Sequence, residues 1–189
     1  MTVSYVEREQ ANPETIAFYD KAEGRFEMLL NIFKVFGHTP ELGTLFTDLI
    51  MAVLKDGEID WLTKELLILK ATHRNACKYC VVQHETLSQR LGISEEKIAD
   101  IGDDRYKTSP HFTDAEKALL DLTVQIGVDA NRLPKELWDR LHQHFTEPQI
   151  VEAVFVITLY IAVSKFGDAL GVELEPVFSG MSPILHVQH

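Results

Sequence analysis

ELLILKATHRNACKYCVVQH, running from Glu65 to His84, is the stretch that decides how the chain is read. It holds both cysteines of the protein, Cys77 and Cys80, as a C-x-x-C, with His84 behind them and Glu65 ahead. Asn75 is a good helix N-cap, because a short polar side chain can accept from a free backbone N–H. With Asn75 as cap, Cys77 falls in the first turn, where unpaired N–H groups favour a thiolate. Arg74 and Lys78 add positive charge beside it. Cys77, Cys80 and His84 stand at i, i+3 and i+7, on one stripe of a helix. Helical Cα atoms three residues apart are about 5 Å apart, inside the ~4.4–6.8 Å that a disulfide needs. His84, one turn past Cys80, is placed to exchange a proton with it.

One helix earlier, Asp60 caps a segment from about Trp61 to about His73. Three and four residues from Glu65 stand Trp61, Leu62, Ile68 and Leu69, all apolar, so Glu65 falls in the middle of the buried face. A carboxylate there needs a partner, and an acid so placed is a candidate general base. Lys64 and Lys70 lie off that arc and read as solvated charges. Taken alone, the C-x-x-C has three readings: two buried small hydrophobes, half of a zinc site completed by His84 and a donor elsewhere, or a redox pair. A first-turn cysteine, a second at i+3, a histidine at i+7 and a buried acid together point to redox thiol chemistry.

Glu65 followed by Cys77-x-x-Cys80-x-x-x-His84 resembles the E…C-x-x-C-x-x-x-H signature of the alkylhydroperoxidase D-like (peroxidase-related) branch of the carboxymuconolactone decarboxylase superfamily. FTDAEKALLDLTVQI and LWDRLHQHFTEPQIVEAVFVITLYIAVSKFGDALGVE are similar to its longer peroxidase-related members, and the resemblance covers roughly residues 25–175. It implies an all-helical fold, a homo-oligomer and reduction of a hydroperoxide by thiols, with no cofactor and an external dithiol, thioredoxin-like or lipoyl reductant. Matched by position, Cys80 would attack the peroxide, Cys77 would pass a proton and close the disulfide, and Glu65 and His84 would form the proton relay. One departure is Tyr79, which stands where the best-described members carry a histidine. The lactone decarboxylases of the superfamily lack the C-x-x-C, which argues against decarboxylation.

With 189 residues, 46% of them apolar, the chain can bury one full core, and a single domain over 1–189 is expected. A net charge of −11 argues against nucleic-acid and anionic-membrane partners. The N-terminus MTVSYVEREQ has no apolar core segment, and the apolar run Ile150–Val163 is shorter than the ~20 residues of a membrane span. A cytoplasmic location is expected, where two cysteines read as catalytic or redox-sensing.

The rest of the pattern is helical and predicts an all-α bundle of about seven or eight helices. Residues 1–12 read as loose. A helix from about Pro13 to Phe36, broken near Gly24, is followed by one from Pro40 to about Leu54 with Leu42, Leu45, Phe46, Leu49, Ile50 and Val53 inward. Ser94 caps a short helix, Thr113 to Glu116 and Thr146 to Gln149 are capping boxes, and Pro134 opens another helix. The helix after Thr146 is apolar on nearly all sides, so it belongs at the centre of the domain or against a second subunit. Residues 176–189 read as a tail lying on a neighbour. No Gly-rich phosphate loop or G-x-S-x-G is present. The remaining alternatives are a redox sensor or interaction scaffold of the same fold, and a zinc-binding module.

Overall fold

The computed structural model describes residues 3–178, 181 and 183–185. Among them are nine α-helices and no strand: α1 Pro13–Phe26, α2 Asn31–Phe36, α3 Pro40–Val53, α4 Trp61–Arg74, α5 Lys78–Arg90, α6 Glu95–Ile101, α7 Asp114–Asp129, α8 Lys135–His144 and α9 Glu147–Leu170. All but α2 have seven residues or more, so the all-α expectation holds. The described residues form two compact units, one of 3–55 and 166–178, the other of 56–165 with 181 and 183–185.

In the first unit Asn12 caps α1 by accepting from the Thr15 N–H at 2.8 Å, with Pro13 at the first helical position. The expected single helix is two. The break falls at Glu27, whose backbone is left-handed (φ 62°), and not at Gly24. Phe18, Tyr19, Ile32 and Phe33 make the core. On α3 the buried positions include Gly43, Thr47, Ile50 and Val53, whereas Leu42, Leu45 and Leu49 point outward. The expected inward face was rotated because Gly43 has to meet the Phe18 ring, three of whose carbons lie within 2.9 Å of where a Cβ would stand. The segment around Val6 and Arg8 is anchored, not loose: Arg8 pairs with Asp20 and Glu23, and the Tyr19 hydroxyl donates to the Val6 carbonyl.

In the second unit α4 is the central element, with every residue from Lys64 to Thr72 buried. Such a helix needs cover on all sides, and both lysines expected in solvent are under it. The Lys64 ammonium donates to Glu152 on α9 at 2.8 Å, and the Lys70 ammonium donates to Asp104 at 2.6 Å and to the Ile101 carbonyl at 2.8 Å. Leu66, Leu69, Val81, Ile98, Ile101, Tyr106 and Leu120 form the main core cluster. Tyr106 lies, fully buried, in the 3-10 turn Gly102–Lys107.

The expected cap Ser94 and the Thr113–Glu116 capping box are both formed. Of the expected tail, 179, 180, 182 and 186–189 lie outside the described residues. Leu185 folds onto its own chain and joins the core cluster, held by Glu85, which accepts from the N–H groups of Ile184 and Leu185 at 2.9 and 2.6 Å. At 24 residues α9 is longer than its apolar run, and by length and composition alone it could cross a membrane. It is buried on one side only: Ala153, Val156, Ile157 and Tyr160 are inside, Val151 and Phe155 exposed.

Candidate active site

Asp60 caps α4 as its sequence predicts, its carboxylate accepting from the Thr63 N–H at 2.8 Å. Glu65 is fully buried one turn in and has two partners. Its Oε1 accepts from the Trp61 indole N–H at 3.0 Å, and its Oε2 lies 2.8 Å from Nδ1 of His84 on α5. A carboxylate only accepts, so the contact assigns the proton to Nδ1 and leaves Nε2 of His84 as the basic nitrogen. His84 is nearly buried at 9% exposure, and its ring meets that of Tyr160 edge-on with centroids 4.8 Å apart. Burial, reinforced by the Glu65 carboxylate, pushes the Tyr160 phenol well above its ordinary range, so it stays a neutral hydroxyl.

The junction of α4 and α5 differs from the expected cap. Asn75 does not start α5; it ends α4, donating its side-chain amide to the Ala71 carbonyl at 2.8 Å. Ala76 follows in a left-handed conformation (φ 56°), its N–H bonding to the His73 carbonyl at 3.0 Å, and the Cys77 N–H reaches the Thr72 carbonyl at 3.1 Å. This is a Schellman ending, which satisfies the last carbonyls of α4 and reverses the chain at once. Cys77 is therefore itself the N-cap of α5, its sulfur accepting from the Cys80 N–H at 3.3 Å. The two helices share their junction, with no free loop between them.

Cys77 and Cys80 are joined as a disulfide with Cα atoms 5.4 Å apart. Both are buried, Cys77 wholly and Cys80 to 3% exposure. The structure thus brings together the disulfide turn and the Glu65–His84 pair on adjacent helices. His73 is only half-buried and lines a pocket that none of Glu65, Cys77, Cys80 and His84 lines. No group of three or more His, Cys, Asp or Glu side chains among the described residues is arranged to hold a metal ion.

Two site residues were missed in the sequence. Trp61 was counted as an apolar neighbour of Glu65, although an indole four residues ahead of a buried acid on a helix is spaced to donate to it. Tyr160 carries a weaker signal, a phenol in the middle of the apolar α9.

Residues 40–125 match the model of the carboxymuconolactone decarboxylase family. The Bacillus subtilis (strain 168) protein YdfG is 26% identical over 118 residues, 62% of this chain and 79% of YdfG. Among solved structures, an uncharacterized peroxidase-related protein from Ralstonia eutropha JMP134, described as an alkylhydroperoxidase AhpD core, superposes with a TM-score of 0.81 at 17% identity, covering 96% of this chain and 97% of that one. The debrominase Bmp8 superposes with a TM-score of 0.77 at 20% identity, covering 92% of each chain. The fold is that of the alkylhydroperoxidase D-like proteins.

Proposed function

Because residues 40–125 match the model of the carboxymuconolactone decarboxylase family, we propose that this chain is an enzyme that reduces hydroperoxides through Cys77 and Cys80. The observation that carries the reading is the placement of the Glu65–His84 pair one helical turn beyond the cysteine that would react. In the reduced protein His84 Nε2, with Nδ1 anchored on Glu65, takes the thiol proton of Cys80. The Cys80 thiolate attacks the terminal oxygen of the hydroperoxide. The O–O bond breaks, the sulfur becomes a sulfenic acid, and the alkoxide leaves as the alcohol with the proton held by His84. Cys77 then attacks the Cys80 sulfur, expelling water and closing the disulfide. An external dithiol supplies the two electrons that return both thiols.

Local structure supports the first step. Cys80 lies in the first turn of α5, where free N–H groups favour a thiolate. Assembly with copies of itself belongs to the same proposal, supported by the exposed stripe Leu42, Leu45 and Leu49 on α3.

The test is stopped-flow oxidation of the reduced protein by an organic hydroperoxide, with thiols titrated before and after. Fast loss of both thiols is expected, and thiols reacting no faster than free cysteine would sink the reading. A dithiol can deliver the same two electrons to a carbon–bromine bond, and a debrominase shares this fold. A brominated pyrrole run as a second acceptor separates the two reactions.

A further inference from the structure

A pocket of about 670 Å³ lies beside the turn that leads into Cys77, in the range that takes small-molecule ligands. Its lining draws on the last turn of α4, the turn at Ala76, and the Gly102–Lys107 segment. Neither cysteine lines it. Among the described residues that line it, Lys70, Arg74 and Arg105 supply three cations against the carboxylate of Asp104, in a chain whose net charge is −11. A cationic recess in so acidic a protein needs a reason.

Internal pairing accounts for only part of the charge. Lys70 is 1% exposed and committed to Asp104 and the Ile101 carbonyl. Arg105 donates to the Ala99 carbonyl at 2.6 Å and lies 3.7 Å from Asp100. Arg74 has no hydrogen bond or ion pair among the described residues. Its Nε lies 3.9 Å from where a Cβ on Gly127 of α7 would stand, and it reaches the Asp104 carboxylate by longer-range attraction, without a hydrogen bond. A position at the C-terminal end of α4 suits a cation by the helix dipole alone. It does not explain why two further cations converge on the same space.

Backbone strain concentrates here too. Three non-glycine residues have a left-handed backbone among the described residues, and two of them, Ala76 and Asp104, line this pocket. Such conformations cost free energy in L-residues and gather where geometry is under functional constraint. Asp104, turned this way, accepts from Lys70, and Arg74 feels its charge without a hydrogen bond to it.

We infer that this pocket binds a small organic oxyanion, a carboxylate or phosphate group held by Arg74 with Lys70 and Arg105 completing the positive field. A planar guanidinium donates two parallel N–H bonds to either group. The site is separate from the disulfide, and it stands or falls without the peroxidase reading.

The experiment is an NMR titration of the full chain with inorganic phosphate and, separately, citrate, at constant ionic strength. Arg74→Gln is compared with Arg132→Gln, a charge-matched control whose side chain is 86% exposed. Saturating shifts of the Ala76, Gly102 and Arg105 amides are expected in the wild type and the control. In Arg74→Gln the dissociation constant should weaken by about tenfold or more, the loss of one charge-assisted contact. The tighter of the two probes tells phosphate from carboxylate. Shifts that never saturate with either probe would overturn the site, as would a loss in Arg74→Gln no larger than in Arg132→Gln.

Discussion

His84 Nδ1 and Glu65 Oε2 stand 2.8 Å apart across two helices joined by the single turn that carries Cys77. A Glu65→Gln substitution keeps the size and removes the charge. The new amide has to face either the Trp61 indole N–H or the His84 Nδ1–H, donor against donor, so one of two contacts is lost. Peroxide oxidation of the thiols is expected to slow by roughly 10²–10⁴-fold, the usual worth of a positioned acid–base group. Stability should fall by only about 1–2 kcal/mol. A flattened pH–rate profile distinguishes loss of the relay from mere loosening. An unchanged profile at full rate would remove Glu65 from the mechanism.

The two cysteines are not equivalent. Cys77 caps α5 and is fully buried, whereas Cys80 lies inside the first turn, on the side of His84. Cys80→Ser is expected to abolish peroxide turnover. Cys77→Ser should permit one oxidation and then stop at a sulfenic acid, detectable by mass spectrometry as a dimedone adduct on Cys80. An adduct on Cys77 in the Cys80→Ser protein would exchange the two roles.

Glu152 supplies a pH-dependent term. Burial alone would raise its carboxyl, but the Lys64 ammonium and the Ile59 N–H, each at 2.8 Å, outweigh burial and hold it below its ordinary value of 4.5. A lowered folded value means that the stabilisation is complete above the unfolded value and drains as pH falls through the folded one. Glu152→Gln should cost about 2 kcal/mol at neutral pH, mostly by leaving the fully buried Lys64 charge under-compensated. That gap should narrow at acid pH, as the wild-type carboxyl protonates below its ordinary value of 4.5. Urea denaturation of both proteins at neutral and acid pH measures it, and a gap independent of pH would rule out the ion pair as its source.

What the sequence made legible was local. Asp60 and the Thr113–Glu116 box are short-range hydrogen-bond chemistry, readable from spacing alone. Glu65, Cys80 and His84 were legible for a similar reason: helical periodicity places an acid on a buried face of α4 and a cysteine and a histidine at i and i+4 on α5, whereas Cys77, expected on the same stripe, caps the helix from outside. Lys64 and Lys70 were not, because a single helix pattern cannot show that Glu152 and Asp104, far along the chain, arrive to cover and pair them. Tyr160 against His84 is hidden in the same way. The misplaced cap had another cause. Asn75 and Cys77 are both chemically able to cap, and the choice was made by the left-handed Ala76 between them, a conformation that the sequence gives no reason to expect of alanine.

That alanine yields the last expectation. In a Schellman ending the left-handed position is usually glycine, because an L-residue there costs roughly 1–2 kcal/mol. Ala76→Gly relieves that cost and keeps both hydrogen bonds, from the Ala76 N–H to His73 and from the Cys77 N–H to Thr72. Glycine also gives the unfolded chain more freedom, which takes back about 0.5–1 kcal/mol. A net gain of about 0.5–1 kcal/mol is expected, read as a higher midpoint in urea with an unchanged slope. A loss would mean that the Ala76 methyl itself packs in the wall of the cationic pocket, and that the strain there is offset by contact.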